Sequence, residues 1–530
     1  MAQVLTCGAG LADCAVGDNF LSGTCADYND EFGDPSDRTW LTVLGFIIMA
    51  TMAFGIGAND VANAWGTSVG SRSISVRKAC LIAGSMNWLG AITLGYGVSS
   101  KLSKGVAKIN DEDCWACGNC DSQVAVYAVG MFGALVGAAI FLLLSTYTEM
   151  PVSTTHAIVG GVVGMTIFAV GGSCLNWKFN GGLLGIVASW IISPLLSGCI
   201  GILLYILTNN TIMQSAQPKR NALLSLPIWY GIVTFVMIFL ILVKAGPTKK
   251  WNRGFMIMCG LIGAAIVAVL VQLYFVSWMK LRLPSARNID LQTAIDEEVE
   301  ASKPVITNDH VLIETPTHAD KLGKSGGAPE EPRDSAMSIV SGNVGEGILE
   351  ARSLSVDQQD AMYVFRYLLL LVATLESYAH GANDTANSTA PLAAIYAIDR
   401  DGLDSCEKFD TPVWIMSIAG LFVMIGVNLL GYKVMQTIGS RISNINMHRG
   451  FCMEFASTIT IVIATLLKVP VSTTHCQVGA VVFVSLYSMG KTKVSMPLVT
   501  KIVASWVITL PFAGLIAAGV TAILKSAIRS

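Results

Sequence analysis

Apolar residues run along this chain in blocks long enough to cross a bilayer, and polar residues gather between them. Twelve blocks are predicted as membrane segments: 40–58, 79–98, 123–147, 151–170, 181–207, 222–244, 254–279, 362–381, 412–438, 450–469, 470–490 and 497–524. About 20 apolar residues in a helix span the hydrocarbon core. Two blocks carry a polar interruption at their start. Residues 151–164 read PVSTTHAIVGGVVG and residues 470–480 read PVSTTHCQVGA. Pro151 and Pro470 cannot continue a preceding helix but suit the first turn of a new one. The hydroxyls of Ser153, Thr154, Thr155, Ser472, Thr473 and Thr474 then fall beside the free N–H groups of a helix start. Such an end attracts anions, because its donors point outward and the helix dipole is positive there. In a bilayer a break of this kind is tolerated only inside protein or along a cavity. Two copies predict two half-helix ends meeting around one anionic ligand, so the fourth and eleventh blocks read as hairpins or broken spans.

The pattern is also duplicated. GANDVAN (57–63) matches GANDTAN (381–387), PVSTTH recurs at 151–156 and 470–475, and IVASWIISPLLSG (186–198) matches IVASWVITLPFAG (502–514). The order is the same in both halves, and seven blocks precede the second half. Seven is odd, so the two copies enter the membrane from opposite sides. The predicted fold class is an all-α polytopic membrane protein of about twelve segments in two inverted-topology repeats with broken helices or hairpins. Its divisions are an acidic, Cys-containing N-terminus (1–39), a first repeat (40–207), two linking helices (208–280), a polar loop (281–361) and a second repeat (362–530). The loop holds Pro304, Pro316, Pro329 and Pro332 and too little apolar content for a core, so it reads as disordered linker. Its serines, Ser335, Ser338, Ser341, Ser353 and Ser355, are candidate phosphate acceptors.

Composition agrees. Only 13% of the 530 residues are charged and 53% are hydrophobic, whereas soluble domains carry about 25% charged residues. The net charge of −2 favours no partner, and no basic nucleic-acid-binding face is present. Basic residues gather in loops after the first, fifth, ninth and eleventh blocks (Arg72, Arg77, Lys78; Lys219, Arg220; Arg441, Arg449; Lys491, Lys493), which makes that side cytoplasmic and both termini extracellular. Lys101, Lys104 and Lys108, and Lys249, Lys250 and Arg253, dissent. Cys7, Cys14, Cys25, Cys114, Cys117, Cys120, Cys174 and Cys406 all fall outside, where disulfides form. A metal site in CWACGNC (114–120) is the rival reading. Cys80, Cys199, Cys259, Cys452 and Cys476 read as packing residues. Trp40, Trp251 and Trp278 fit interfacial anchors. The sequons at Asn209, Asn383 and Asn387 are expected to stay unmodified.

Charged residues inside a membrane mark function. Asp60 and Asp384 sit in the repeated GAND motif, near the predicted ends of spans. On a helix Asn59 and Asn63 share a face with Asp60 between them, as Asn383 and Asn387 do with Asp384. Amide and carboxylate oxygens suit a small hard cation, and Gly57 and Gly381 would let backbone carbonyls join. The cap reading, in which Asn-Asp merely starts a helix, is the alternative. A cation between the carboxylates would also complete the anion site. A protonated aspartate donating to the anion is the other solution.

GANDVANAWGTSVGS, AHGANDTANS, PVSTTHAIVGG and PVSTTHCQVGA resemble the signature segments of the inorganic phosphate transporter (PiT) family, over about residues 40–524. The likeness is to eukaryotic sodium–phosphate symporters. It implies that Ser153, Thr154, Thr155, Ser472, Thr473 and Thr474 ligate phosphate. It implies sodium sites at Asn59, Asp60, Asn63, Asn383, Asp384 and Asn387, with both aspartates touching the anion through the ions. One departure stands out. The family's glutamate of the second span is Asn87 here, in SMNWLG, while Glu454 in CMEFAS keeps the glutamate of the matching span. His156 and His475 are duplicated and would either contact the anion or donate to a backbone carbonyl. Glu149 and Lys468 occupy matching places before the two breaks and read as end residues.

The expected function is secondary active import of inorganic phosphate coupled to sodium by alternating access, in the plasma membrane. Sodium is a co-substrate, and no organic cofactor, enzymatic motif or nucleotide loop is read. The expected partners are inorganic phosphate, Na+ and the lipid bilayer, with no nucleic acid and a homodimer left open. Proton coupling or another oxyanion is the first rival. A phosphate sensor with little flux, signalling through its serine-bearing loop, is the second.

Overall fold

The computed structural model describes residues 4–6, 13–15, 38–94, 105–111, 113–116, 122–179, 181–244, 248, 251–283, 354–401, 411–466 and 471–528. Lys468, Pro470, most of the 281–361 loop and Cys7, Cys25, Cys117, Cys120 and Cys406 lie outside the described residues. A two-stranded antiparallel ribbon, β1 (Val4–Thr6) and β2 (Asp13–Ala15), precedes the helices. The rest is helical. The helices are α1 (Thr39–Gly70), α2 (Val76–Leu94), α3 (Val124–Tyr147), α4 (Thr154–Ala169), α5 (Leu183–Thr208), α6 (Pro218–Lys244) and α7 (Arg253–Leu270). After the loop come α8 (Val356–Asn383), α9 (Thr385–Asp401), α10 (Val413–Gln436), α11 (Met447–Leu466), α12 (Thr473–Met489) and α13 (Met496–Ala527).

Eight of these stretches are long and apolar enough to cross a membrane: 39–70, 124–147, 183–213, 218–243, 253–283, 356–400, 413–441 and 496–527. The chain is therefore a polytopic membrane protein. The other blocks differ from plain spans for physical reasons. The 16 residues of α4 and 17 of α12 reach only about 24–26 Å, short of a ~30 Å hydrocarbon core. Helix α2 and helix α11 carry polar residues at their starts.

The fourth block forms a hairpin with the third. A Cβ on Gly130 would press on Met165 and one on Gly161 on Ala134, so α3 and α4 run antiparallel with PVSTTH at their joint. Helices α11 and α12 also pack together. Both short helices end alike. Gly171 and Gly490 take left-handed φ of 97° and 84°, each begins a 3-10 turn, and each turn leads to an isolated β-bridge, Ala107–Leu175 and Ser443–Val494.

Lipid and protein divide the apolar surface. Helix α3 is mostly buried, whereas the 253–283 helix is mostly uncovered. Leu261, Ile266, Leu273, Val507, Leu515 and Ile523 are exposed, as expected of side chains facing acyl tails. Trp40, Trp251 and Trp278 are exposed as interfacial anchors would be. Cys199 is also exposed rather than packed, unlike the buried Cys80, Cys452 and Cys476. Cys114 is bonded to Cys174, which ties the loop before α3 to the turn after α4 and takes Cys114 out of any metal site.

The first GAND motif is not at a helix end, whereas the second coincides with the end of α8. Helix α1 runs on to Gly70, so Asp60 lies mid-helix, and α8 meets α9 with Asp384 as the single non-helical residue between them. The cause is glycine-mediated crossing. A Cβ on Gly57 would overlap the Val423 carbonyl, and one on Gly381 the Asn87 carbonyl. These glycines bring helix backbones together instead of freeing carbonyls for a cation.

Candidate functional site

The two PVSTTH joints meet at the centre. Ser153 and Ser472 cap α4 and α12, each accepting from the backbone N–H three residues on, His156 and His475, at 3.3 Å. The caps leave the threonines at the helix ends. Thr474 Oγ1 donates to the Val152 carbonyl at 3.0 Å, so one joint touches the other.

The GAND helices bridge them crosswise. Asn63 on α1 donates to Thr474 Oγ1 at 2.9 Å and to Thr473 Oγ1 at 3.4 Å. Asn387 on α9 donates to Thr154 Oγ1 at 3.0 Å and to Thr155 Oγ1 at 3.3 Å. Each asparagine thus reaches the hydroxyls of the other half. Each aspartate meets those of its own: Thr473 donates to Asp384 Oδ2 at 3.3 Å, and Thr154 adjoins Asp60. Both oxygens of Asp60 and the Oδ1 of Asn63 are buried without hydrogen-bond partners. Three orphaned acceptor oxygens cost free energy unless something donates to or coordinates them. That donor set, hard oxygens beside two aspartates in electrostatic reach of each other, fits a small cation.

Asn59 does something different. Its Oδ1 accepts from Val152 N at 3.0 Å and its amide donates to the Met150 carbonyl at 3.0 Å. Both ends of the side chain hold the first joint in place. Asn383 is half-buried beside Asp384. Behind the joints, His156 and His475 stack with Trp190 and Trp506. His156 lies 3.9 Å from Trp190, His475 lies 3.7 Å from Trp506, and the two imidazoles are 4.4 Å apart. His475 Nδ1 is 3.0 Å from the Trp190 carbonyl, and Trp506 Nε1 donates to the Pro151 carbonyl at 3.3 Å. The rings form an interlock between the halves. The duplicated IVASW segment supplies both tryptophans, one from α5 and one from α13.

Asn87 and Glu454 do not occupy matching helices. Asn87 on α2 is buried against α8 and returns its amide to the Ala83 carbonyl at 2.8 Å. Glu454 on α11 is fully buried and accepts from Thr67 at 2.6 Å and from Gln477 at 3.0 Å. Beside it is a carboxylate that motif reading passes over, Glu376 on α8. It lies outside the repeated signatures, yet a glutamate inside an apolar block meets the same criterion that singles out Asp384. Glu149 pairs with Arg441 and Thr437 donates to its carbonyl at 2.8 Å, which pins the end of α3 to the end of α10.

A profile of the phosphate transporter family matches residues 56–517. A phosphate-repressible phosphate permease of Neurospora crassa is 28% identical, over 92% of this chain and 98% of its own. A putative phosphate permease of Pyrococcus abyssi is 30% identical over the same shares, 92% and 98%. Sodium-dependent phosphate transporter 1-A of Danio rerio is 26% identical over 92% and 95%. Among solved structures, one described as the sodium-dependent phosphate transporter superposes with a TM-score of 0.69 at 28% identity, covering 92% of this chain and 99% of that one.

Proposed function

The chain belongs to the phosphate transporter family, and from that premise we propose that it imports inorganic phosphate together with sodium ions by alternating access. The observation that carries this reading is the crosswise bonding of Asn63 and Asn387 to the threonines of the opposite joint, around unpartnered Asp60 oxygens. Phosphate sits between the two joints, on Thr154, Thr155, Thr473 and Thr474, with Ser153 and Ser472 holding the helix starts. Sodium sits on Asp60, Asp384, Asn63 and Asn387, with Asn383 alongside, and Asn59 fixes the first joint. The cation offsets the carboxylates that would otherwise repel the anion. Sodium as partner is supported by relatives named as sodium-dependent phosphate transporters.

The two halves are an inverted repeat of segments that move against each other. Support comes from the matched hairpins, matched positive-φ glycines and exchanged packing, in which α4 lies on α13 and α12 lies on α5. In the transport cycle one pair of hairpin and partner helix rocks against the other, opening the shared site to each side in turn. Both termini face outward, an orientation that would put the Cys114–Cys174 disulfide in an oxidising compartment, where such bonds form.

Proteoliposomes holding the purified chain test this. Radiolabelled phosphate should accumulate when an inward sodium gradient is the only drive, and excess sulfate should compete weakly. Accumulation driven equally by a pH gradient without sodium would replace sodium with protons as the coupling ion. Robust flux by the protein alone excludes a pure sensor.

A further inference from the structure

We propose that Glu376 and Glu454 form a second ion site, a buried carboxyl pair that holds one exchangeable proton, separate from the cage around Asp60 and Asp384. Glu376 projects from α8 and Glu454 from α11, and the two carboxyls lie within reach of one another. Both are buried to 1% exposure or less. Four neutral donors point at them. Thr67 and Gln477 give to Glu454 Oε2, at 2.6 and 3.0 Å. Ser457 gives to Glu376 Oε1 at 3.3 Å and Thr458 to Glu376 Oε2 at 2.8 Å. No lysine or arginine among the described residues bonds to either glutamate, and the basic group beside them is His380, so a second negative charge there has no permanent counter-ion.

Besides His380 Nε2, two orphaned atoms point to what is bound. Glu454 Oε1 and Gln477 Oε1 are buried acceptors with no partner. A proton on Glu454 Oε1 turns that orphan into a donor, to Glu376 or to Gln477, and satisfies the pair. Donor hydrogens already point at three of the four carboxyl oxygens, a setting that suits a shared proton better than a metal ion. The titratable groups facing the pair are His380 on α8, whose Nε2 is 3.5 Å from Glu376 Oε1, Asp384 in electrostatic reach of Glu376, and Cys476 on α12. The proton comes from water and returns to it. The loaded pair carries one negative charge, the unloaded pair two. That change beside Asp384 alters how strongly the neighbouring cage holds its cation, so proton occupancy and substrate binding are linked.

The test is infrared difference spectroscopy between high and low pH on the purified full-length protein. A protonated carboxylic acid has a carbonyl band that shifts in deuterated water. We expect one such band that disappears in Glu376→Gln and equally in Glu454→Gln, because one proton serves both. Thr67→Val keeps both carboxyls and removes one donor, so the band should persist with a displaced pH midpoint. This variant decides the matter if a glutamine variant fails to fold. Retention of the band in both glutamine variants, or an unmoved midpoint in Thr67→Val, would falsify the site. Loss of the band on adding sodium to an Asp384→Asn variant, whose own cage is impaired, would make the pair a metal site and overturn the proposal as well. None of these readouts depends on which ion drives phosphate uptake.

Discussion

At the scale of single residues the site is built from hydroxyls and amides whose effects differ by position. In the proposed site, Thr154→Ala and Thr473→Ala would each remove a donor to the bound anion. Hydrogen bonds to charged groups contribute roughly 1.5–3 kcal/mol, so phosphate affinity should fall about ten- to a hundredfold. Binding to the purified protein by calorimetry measures it, and unchanged affinity in both would reduce the joints to structural caps. The crosswise bonds add a sharper test. Asn63→Ala and Asn387→Ala should weaken phosphate binding by similar factors, since each strips the matching pair of threonines in the opposite half. A large effect from one alone would show that the two halves contribute unequally. Asp384→Asn keeps an oxygen but loses the charge that offsets a cation. Sodium affinity should drop, phosphate affinity should drop with it by linkage, and added sodium should partly restore both. Strong phosphate binding by Asp384→Asn without sodium would sink the coupled reading.

At the scale of elements, helix crossings depend on absent side chains. Gly57 and Gly426 lie where α1 and α10 touch, with Val423 and Phe54 carbonyls in the space a Cβ would fill. Gly57→Ala should therefore force the helices apart and lower the melting temperature in detergent. Gly519 on α13 has no atom within 4 Å of such a Cβ, and Gly519→Ala should be neutral or slightly stabilising, about 1 kcal/mol at most from helix propensity. Equal behaviour of the two would show that close approach is not what Gly57 provides. Motif spacing made both GAND segments visible, but not that α1 runs straight through the first while α8 ends within the second. The hydrophobic pattern ends a block at the first polar residues, near 58 and 381, whereas Asn59, Asp60 and Asn63 stay helical because neighbouring helices bury them. Tertiary contact overrides the boundary that hydropathy draws.

At the scale of the whole molecule, the two halves are expected to face opposite sides. Exposed Lys108, next to the bridge after α2, and exposed Lys491, after α12, should then label differently. In a background without other reactive thiols, Lys108→Cys should react with an impermeant reagent on intact cells and Lys491→Cys only after permeabilisation. Labelling of both from outside contradicts the inverted arrangement. The amino-acid order by itself determined the membrane class, the duplication and which polar motifs lie within the apolar blocks. Apolar block length, charge scarcity and repeated hydroxyl and carboxylate motifs are properties of the chain that survive any fold burying them. Only the tertiary structure decided which residues meet. It paired each asparagine with the threonines of the other half, assigned Asn59 to holding a joint, stacked the histidines on the tryptophans, and set Glu376 against Glu454 from helices 78 residues apart in numbering. Local patterns encode what a segment can bury. Contacts between distant segments depend on how helices cross, and that is settled by glycine packing and shape across the assembled bundle.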